Sequence, residues 1–588
     1  MKLSINRNTV WCDLFVDRLA NAGVRYACIS PGSRSTALTV AFASNKNITV
    51  FPIVDERSSS FFALGLAKKS KSPVAIVTTS GTAVAELYPA IIEAYYQRIP
   101  LIVCTADRPP ILRNSGANQT INQQNIFANH IRYFFDAGLP NLKKINAIKK
   151  IAEEAIRISC FNDKGPVHIN FPFEKPFEPK SYTDKIDVTA LAKIFSNSTQ
   201  HFSFPNKSKT NFVSLANKFS KTERGLILVG FSDYSEEFGK DLVNFSKAFG
   251  YPVYVDGASS LRFGNHSKEN FIDNLTAFVR AKSFRKSFDP DLIVQFGSAP
   301  TANILFDYFK NSKAVKFLVN DFGDRNDPSL TAKNIVACNP SDFCQSIVSQ
   351  ISPRKNVKSD WLNNFISFQK NSERFKKKII GKSNFPFEGR IITELLNAIP
   401  NKSNLMISNS LPIRDVDSFA SASSKQLKVF TNRGASGIDG INSTALGIAK
   451  ISKEPTFLLV GDLAFFHDSN GLHSALKYKI PLTVILINNH GGGIFESLPI
   501  ANYPEFFRNN FLTSLELDFS KLVKAYKGQF LRINNWIDLK KQFKTSTKRK
   551  AFTVLEIQTD AKKSKRFRQK YWNAVAEKTD EFINEIKS

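Results

Sequence analysis

Short apolar runs typical of buried strands alternate with amphipathic helical stretches along almost the whole chain. In the first third, RYACIS, VAIVTTS and PLIVCTA each lead into a turn rich in Gly, Ser or Pro. The middle third repeats the pattern with GLILVG, PVYVDG, DLIVQFG and KFLVND, and the last third with NLMISNS, TFLLVGD, LTVILINN and FTVLEIQ. Apolar strands separated by helices are typical of parallel sheets covered by helices. The pattern therefore predicts the α/β class.

Two polar segments divide this alternation into three units. A stretch rich in Lys, Ser and Thr at about 178–212 reads as a linker, and a charged segment at about 352–388 precedes the last unit. A chain of 588 residues is too long for one core, and about three or four domains are expected from its length. We predict three consecutive open, mainly parallel sheets flanked by helices, in domains 1–185, 186–355 and 356–588.

The charge and the cysteines bear on the class of protein. The formal net charge is +29, with basic tracts at 374–382, 546–550 and 562–570, but none of them belongs to a nucleic-acid-binding motif. A lysine-rich surface is therefore favoured over a nucleic-acid site. No apolar stretch is long enough to span a membrane. Six scattered cysteines without a CxxC pair suit a reducing compartment, so a cytoplasmic location is expected.

The strongest chemical pattern is GDLAFFHDSNGLHSALKYKIPLTVILINNHGGGIF, residues 461–495. Asp462 and Asn489 each end an apolar run, and one helix separates the two runs. Ligands of open parallel sheets bind beyond the carboxyl ends of the strands, so these two side chains are expected to lie together. Carboxylate and amide oxygens suit Mg²⁺, which takes further ligands from phosphates. Gly491 to Gly493 then offer a backbone that a diphosphate can approach closely.

This segment resembles the thiamine-diphosphate-binding GDG…NN motif of the pyruvate-oxidase-like decarboxylase and carboligase superfamily, with Leu463 in place of the second glycine. Further motifs resemble one family of that superfamily, the menaquinone-pathway 2-succinyl-5-enolpyruvyl-6-hydroxy-3-cyclohexene-1-carboxylate synthases. They are SPGSRSTAL, DERSSSFFALGLA, TTSGTAVAELYPA, TADRPP, GANQTI, NSLPIRD and NRGASGIDG. The resemblance covers the first and last thirds densely, whereas the middle third is similar only in architecture. It implies a pyrimidine-binding domain and a diphosphate-binding domain around a central one.

Glu56, in VDER, is the candidate catalytic residue. By itself, an acid at this point can simply be a first-turn residue that the helix macrodipole favours. The resemblance implies more: a glutamate at this place hydrogen-bonds N1′ of the cofactor's aminopyrimidine and promotes its imino tautomer. The resemblance also implies that Glu56 comes from one subunit and the diphosphate site from another, which requires a homodimer or homotetramer.

The resemblance implies a cofactor site for thiamine diphosphate and Mg²⁺ (or Mn²⁺). Asp462, Asn489 and Gly491 are the expected metal ligands, and Ile438 is the bulky residue that holds the cofactor bent. Ile494 and Phe495 are expected to form a wall of the same pocket. For these three apolar residues, ordinary core packing is the open alternative.

The implied reaction decarboxylates 2-oxoglutarate on thiamine diphosphate and adds the resulting succinyl carbanion equivalent 1,4 to isochorismate, with release of CO₂. Both substrates are dianions, for which bidentate arginine is the expected partner. The candidate substrate-binding residues all lie inside the motifs quoted above: Ser33, Arg34, Arg108, Asn118, Gln119, Ser410, Arg414 and Arg433.

The central domain departs from the family pattern, and alternatives stay open for one histidine and for the function. Some members of the family carry a Lys-Arg pair in the middle domain, where this chain has Asn303 and Ile304. The middle domain is therefore not expected to bind the isochorismate carboxylate unless another basic residue substitutes. His490 lies within the glycine loop, where a role in loop structure is favoured over catalysis. The alternative functions are a related decarboxylase or acetolactate-type carboligase with another acceptor, and a basic nucleic-acid-binding protein.

Overall fold

The computed structural model describes residues 2–195, 211–351, 359–546, 548 and 550–587. Within them, every apolar run quoted above forms a strand. Each of the three units contains one parallel sheet with helices packed on it, which confirms the predicted fold class.

The first unit contains a six-stranded sheet in the order β3-β2-β4-β5-β7-β6, with all neighbouring strands parallel. Its elements are β1 (Lys2–Ile5), α1 (Arg7–Asn21), β2 (Tyr26–Ile29), α2 (Thr36–Ser44), β3 (Thr49–Pro52), α3 (Glu56–Ser70), β4 (Val74–Thr78), α4 (Thr82–Ala85), α5 (Tyr88–Gln97), β5 (Leu101–Asp107), β6 (Tyr133–Asp136), α6 (Ile145–Cys160), β7 (Val167–Pro172), β8 (Asp184–Asp187) and α7 (Val188–Phe195).

The central unit contains a five-stranded parallel sheet in the order β10-β9-β11-β12-β13. Its elements are α8 (Phe212–Lys221), β9 (Gly225–Val229), α9 (Phe238–Phe249), β10 (Val253–Val255), α10 (Leu275–Phe278), α11 (Lys282–Ser287), β11 (Leu292–Phe296), α12 (Asn303–Lys310), β12 (Val315–Asn320), β13 (Asn334–Ala337) and α13 (Pro340–Val348).

The last unit has a six-stranded parallel sheet in the order β15-β14-β16-β17-β19-β18. Its elements are α14 (Asp360–Gly381), α15 (Glu388–Ala398), β14 (Ser403–Ile407), α16 (Leu411–Phe419), β15 (Leu427–Thr431), α17 (Ile441–Ile451), β16 (Thr456–Gly461), α18 (Asp462–His467), α19 (Leu472–Tyr478), β17 (Thr483–Asn488), α20 (Pro504–Phe507), α21 (Phe519–Ala525), β18 (Gln529–Arg532), α22 (Trp536–Ser546), β19 (Thr553–Gln558) and α23 (Ala561–Lys587).

Both segments expected to separate the units contain secondary structure. In the first segment, β8 pairs antiparallel with β1, and α7 packs apolar side chains against the core of the first unit. In the second, the charged residues lie along α14, whose Trp361, Phe365 and Phe368 are buried. Reading 178–212 as a linker was therefore wrong where the chain is described, because the apolar residues of α7 recur at helical spacing. The rest, 196–210 and 352–358, lies outside the described residues.

The domain boundaries at 185 and 355 stay predictions, although the first of them falls within β8. No helix in the described part of the chain is both long and apolar enough to cross a membrane. The six cysteines carry free thiols, and five of them are buried.

The first and last units pack directly on each other through α3 and α17. Gly65 of α3 and Gly447 of α17 face one another at the crossing. A Cβ on Gly65 would lie 2.1 Å from the Thr444 carbonyl oxygen, and one on Gly447 would lie 2.2 Å from the Phe62 carbonyl oxygen. The absence of both side chains lets the two backbones touch.

Candidate functional site

Asp462 and Asn489 are brought to one edge of the last sheet. β16 and β17 are parallel neighbours, with Gly461 opposite Ile487, so the residues that follow them emerge side by side. The Asp462 carboxylate accepts hydrogen bonds from the backbone N–H groups of Leu463 and Gly491, both at 2.8 Å. Burial raises the pKa of Asp462 to about 6. An anion held in place and partly desolvated is suited to binding a cation.

In the side-chain amide of Asn489, the nitrogen is hydrogen-bonded within the protein and the oxygen is available to a ligand. Its Nδ2 donates to Oε1 of Glu388 at 3.2 Å. Its Oδ1 is buried and has no hydrogen-bond partner among the described residues. A buried amide oxygen with no donor is costly unless something else binds it, and Mg²⁺ takes amide oxygens as ligands. Asp462 and Asn489 therefore fit a metal with carboxylate and amide oxygen ligands.

The described residues contain no cluster of three or more His, Cys, Asp or Glu side chains that could hold a metal ion. The predicted ligand set does not require one, since it combines one carboxylate with an amide and a backbone carbonyl. It depends instead on phosphate and water oxygens for the remaining ligands.

The glycine loop is shaped by contacts on its outer side. Gly491 has φ +125°, and a Cβ there would lie 2.0 Å from the carbonyl oxygen of Leu512. Gly492 donates to that same carbonyl at 2.6 Å. Glycine is thus required for the loop to pack on residues 508–512, a reason that the sequence did not reveal. His490 is exposed, and its N–H donates to the Asn488 side chain at 3.2 Å, which agrees with the loop role.

The apolar candidates Ile438, Ile494 and Phe495 are all half-buried. Ile438 packs against the core shared by the first and last units. The ring of Phe495 lies edge-on to Phe511, with 5.6 Å between centroids. These contacts account for part of each side chain and leave the pocket role a proposal.

Glu56 is the first residue of α3, directly after its N-cap Asp55. The Asp55 carboxylate accepts from the Ser58 N–H at 2.8 Å and from Asn470 Nδ2 at 3.0 Å. Asp55 therefore caps the helix, and Glu56, which is half-buried, is left available. Burial, followed by the charges of Asp55 and Glu86, raises the pKa of Glu56 above its ordinary value.

Within one chain, the residue after Glu56 contacts the end of α18 that is remote from Asp462. The start of α3 contacts the carboxyl end of that helix, where Arg57 donates to the His467 carbonyl at 3.1 Å, whereas Asp462 is at its amino end. Five residues of helix span about 7.5 Å. No hydrogen bond or ion pair joins Glu56 to Asp462 or Asn489 in the described part of the chain.

The substrate-binding candidates of the first unit are only partly brought together. Arg108 Nη2 donates to the Asn118 carbonyl at 2.6 Å, and its buried Nε has no partner among the described residues. Gln119 backs onto Gly81, where a Cβ would lie 3.4 Å from it. Arg34 is buried, donates to the Phe173 carbonyl at 2.8 Å and stacks on Phe177.

Ser33 is exposed in the turn before α2. By their hydrogen bonds the isochorismate candidates divide into two groups, since Arg34 donates to the Phe173 carbonyl and Arg108 donates to the Asn118 carbonyl. The first group holds Ser33 and Arg34, and the second holds Arg108, Asn118 and Gln119.

The substrate-binding candidates of the last unit converge. Arg414 Nη1 donates to the Ser410 carbonyl at 2.7 Å, and Arg433 reaches the side chain of Asn409 at 3.4 Å. Burial and then the neighbouring charge of Arg433 lower the pKa of Arg414. Two half-buried guanidinium groups that interact electrostatically are suited to binding a carboxylate. Ser410 has φ +72° and ψ −130°, a strained conformation of the kind that concentrates at functional sites.

The comparisons with known proteins agree with this geometry. Family models match residues 11–126 as the N-terminal thiamine pyrophosphate binding domain of thiamine pyrophosphate enzymes, 194–407 as their middle domain and 419–557 as their C-terminal thiamine pyrophosphate binding domain. The chain is 36% identical to 2-succinyl-5-enolpyruvyl-6-hydroxy-3-cyclohexene-1-carboxylate synthase of Bacillus cytotoxicus, over 95% of each chain. The chain belongs to this synthase family.

Other relatives of the same name come from Geobacillus kaustophilus, 36% identical over 97% of this chain and 98% of that protein, and from Listeria innocua, 36% identical over 96% of each. Among solved structures, a benzoylformate decarboxylase from Polynucleobacter necessarius aligns over 94% of this chain and 98% of that one, with a TM-score of 0.67 and 16% identity. That likeness shows the fold alone.

For a member of this synthase family, the central unit departs from expectation at α12. Asn303 is exposed at the first position of the helix, and Ile304 packs against the large core that the central and last units share. Neither side chain can replace a basic pair.

Sequence reasoning missed several residues that hold this site together. Glu93 of α5 is buried and accepts hydrogen bonds from the N–H groups of Gly434 and Ala435, at 2.8 and 2.7 Å. Asn409 donates to the carbonyls of Asn432 and Gly437, at 2.6 and 2.7 Å. Both therefore fix the loop that carries Arg433. The one available signal was a glutamate within an apolar helix, since a buried carboxylate needs dedicated donors.

Proposed function

We propose that the protein is a 2-succinyl-5-enolpyruvyl-6-hydroxy-3-cyclohexene-1-carboxylate synthase. It decarboxylates 2-oxoglutarate and adds the succinyl unit 1,4 to isochorismate, with release of CO₂, as a step of menaquinone biosynthesis. The observation that carries the proposal is the family match, which extends over at least 95% of the chain in three relatives of that name. The convergence of Arg414, Arg433 and Ser410 supports it, because both substrates are dianions.

Thiamine diphosphate would supply the electron sink on which a 2-oxo acid loses CO₂. Asp462, Asn489 and the Gly491 carbonyl would hold Mg²⁺ (or Mn²⁺) against the diphosphate. The free, buried Oδ1 of Asn489 supports this ligand set. The hydrogen bonds from Leu463 and Gly491 to Asp462 preset the direction of its carboxylate.

Glu56 would accept or donate the proton at N1′ of the aminopyrimidine. A general acid–base group works best when its pKa lies near the working pH, and burial moves the pKa of Glu56 in that direction. Because Asp55 takes over the capping of α3, the carboxylate of Glu56 is free for this role.

The complete site would form between two subunits of a homo-oligomer. The hydrogen bond from Arg57, next to Glu56, to the carboxyl end of α18 supports this arrangement, since Asp462 lies at the amino end of that helix. A second copy would then bring its own Glu56 to that Asp462.

The substrates would divide between the two kinds of unit. Ser410 and Arg414, with Arg433 beside them, would bind the distal carboxylate of 2-oxoglutarate. Arg34 and Arg108, with Ser33, Asn118 and Gln119, would face isochorismate. The lack of a partner on Nε of Arg108 among the described residues supports its share of this role.

The test is to incubate the purified protein with thiamine diphosphate, Mg²⁺, 2-oxoglutarate and isochorismate, and to identify the product by mass spectrometry. We expect the 1,4-adduct and one CO₂ for each adduct formed. Equal turnover of pyruvate in place of 2-oxoglutarate would instead indicate a carboligase of the acetolactate type. Absence of any adduct in the presence of bound cofactor would refute the proposal.

A further inference from the structure

A buried ion cluster lies behind the candidate metal site. Arg568 of α23 makes two hydrogen bonds of 2.6 Å to the carboxylate of Asp415 and also donates to Oε2 of Glu388. Glu388 is 0% exposed, Asp415 2% and Arg568 5%. Desolvating three charges is expensive, and such a cluster does not by itself indicate stability. Its geometry indicates a role at the candidate metal site.

The second oxygen of Glu388 points to the glycine loop. Oε1 accepts a hydrogen bond from Thr559 Oγ1 at 2.7 Å and from Asn489 Nδ2 at 3.2 Å. The oxygen and nitrogen ends of an amide are nearly the same size, and a carboxylate can only accept. Glu388 therefore selects the orientation of Asn489 in which NH₂ faces the cluster and Oδ1 faces away from it.

We propose that Glu388 is a positioning residue of the metal site: it fixes the amide of Asn489 so that oxygen, and not NH₂, is presented to the divalent cation. Arg568 holds Glu388 in place through its other oxygen. The inference rests on the proposed function to the extent that Asn489 is a metal ligand.

The location of Arg568 also bears on the basic tract at 562–570. Two of its cations turn inward: Arg568 joins the cluster, and Lys565 Nζ donates to the Glu496 carbonyl, next to Phe495. One face of α23 thus braces the loop that contains Asn489. For these two residues a structural use replaces the expected solvated surface.

The most informative variant is Glu388→Gln. It keeps the shape of the side chain but replaces one accepting oxygen with an NH₂ group that donates. If the amide oxygen of the introduced glutamine faces Arg568, its NH₂ faces the NH₂ of Asn489, and Asn489 is pushed to turn its own NH₂ toward the cation. If the introduced amide flips, its NH₂ meets Arg568 instead. Substitutions next to a metal ligand typically weaken metal affinity about 10- to 100-fold. We expect a loss of that size in Mg²⁺ affinity at saturating thiamine diphosphate.

The matched control is Glu394→Gln on the same helix, α15. Glu394 is nearly as buried, at 9% exposed, and its partners are Arg390 and Lys540. Neither partner belongs to the glycine loop, so we expect unchanged Mg²⁺ affinity.

A double variant separates orientation from general damage. In Glu388→Gln with Asn489→Asp, donor and acceptor are exchanged: the NH₂ of the new glutamine donates to one oxygen of the new aspartate, and the other oxygen faces the cation. We expect the double variant to bind Mg²⁺ at least about 10-fold more tightly than either single variant, a non-additivity expected only of residues that interact directly. If Glu388→Gln does not fold, the comparison of the double variant with Asn489→Asp keeps the test.

The measurements are calorimetric titration of Mg²⁺ in the presence of thiamine diphosphate, electron paramagnetic resonance of bound Mn²⁺, and the melting temperature without cofactor. Unchanged Mg²⁺ affinity in Glu388→Gln would overturn the inference. So would a loss that the double variant fails to rescue and that is accompanied by a lower melting temperature, because Glu388 would then be only structural. Wild-type protein that binds cofactor and metal but forms no adduct would refute the proposed substrates and leave this inference intact.

Discussion

The first and last units have the same sheet topology and carry different chemistry. Their strand orders, β3-β2-β4-β5-β7-β6 and β15-β14-β16-β17-β19-β18, become identical when twelve is subtracted from each number of the second. α3 and α17 follow equivalent strands and cross at two facing glycines, each against the residue three positions before the other glycine. Topology therefore sets where a functional group can lie, and the sequence decides which group lies there.

The difference is clearest at equivalent positions. After β16 and β17 the last unit has Asp462 and Asn489, whereas after β5 the first unit has Arg108. The reverse holds at the helix starts: α3 begins with Glu56, whereas α17 begins with an isoleucine. On the proposed assignment, each unit contributes charged groups that the equivalent positions of the other unit lack.

The largest expected effect is at Glu56, the residue of the first unit to which the proposal assigns proton transfer. Glu56→Gln keeps a hydrogen-bonding group but loses the proton transfer, so kcat is expected to fall about 10²- to 10⁴-fold. Because glutamine keeps the hydrogen bond to the cofactor and the proposed diphosphate site lies in the last unit, cofactor affinity is expected to stay nearly the same. Steady-state kinetics and a thiamine diphosphate titration measure the two separately, with Glu236→Gln, at an exposed position of the central unit, as control. Unchanged kcat in Glu56→Gln would remove the catalytic assignment.

The arginines provide the next test, since Arg414 belongs to the last unit and Arg108 to the first. A hydrogen bond to a charged group contributes about 1.5–3 kcal/mol, or roughly 10- to 150-fold. We expect Arg414→Ala to lower kcat/KM for 2-oxoglutarate by that factor and to spare pyruvate, which lacks the distal carboxylate.

Arg108→Ala is expected to raise KM for isochorismate and to leave decarboxylation without acceptor nearly unchanged. Equal losses for pyruvate and 2-oxoglutarate in Arg414→Ala would show that Arg414 maintains the fold or the cofactor site and does not bind substrate.

The fold was predictable because its signal is local. A buried parallel strand must be apolar along its length, and eleven such runs were read directly from the sequence and are strands in the structure. The pairing of Asp462 with the Asn489 loop followed from the same rule, because the ends of neighbouring parallel strands meet. The reading of 178–212 as a linker failed at α7, because the polar residues around this short helix obscured its apolar ones.

The supporting residues of the site were not predictable, because their partners are distant in sequence. Arg568 lies 180 residues from Glu388 and 153 from Asp415, and in the sequence it is one cation of a basic tract. Glu93 lies 341 residues from Gly434. Only the folded chain shows that these charges are buried and paired.

Gly65 and Gly447 occupy equivalent places where α3 and α17 cross, so we expect an alanine at either position to destabilise the protein to the same extent. In Gly447→Ala the new Cβ would lie 2.2 Å from the Phe62 carbonyl oxygen, and in Gly65→Ala it would lie 2.1 Å from that of Thr444. Overpacking typically costs about 1–3 kcal/mol, and because backbone must move here we expect about 3 kcal/mol for each. Melting temperature measures this, with Gly381→Ala, which has open space, as the control. A strong effect on only one side would show that the two units do not tolerate strain equally.

The smallest expected effect concerns Asp468, which lies between the two units. Its carboxylate is fully buried and accepts from the N–H and Oγ of Ser443, at 2.6 and 2.9 Å, and from Ser58 Oγ at 3.4 Å. Burial raises its pKa from 3.8 to about 7, although the Ser443 hydrogen bonds and Arg57 oppose the shift.

Because the pKa is higher in the folded state, the stability that this carboxyl contributes is fully present below pH 3.8 and is lost as the pH rises through about 7. Asp468→Asn has no such titration, so the stability of wild type relative to the variant is expected to fall by about 2 kcal/mol between roughly pH 5.5 and 8. Urea denaturation of both proteins across that range checks it. If the two stabilities run parallel, the carboxylate already bears its charge at acidic pH, and the contact between the two units is better solvated than its burial indicates.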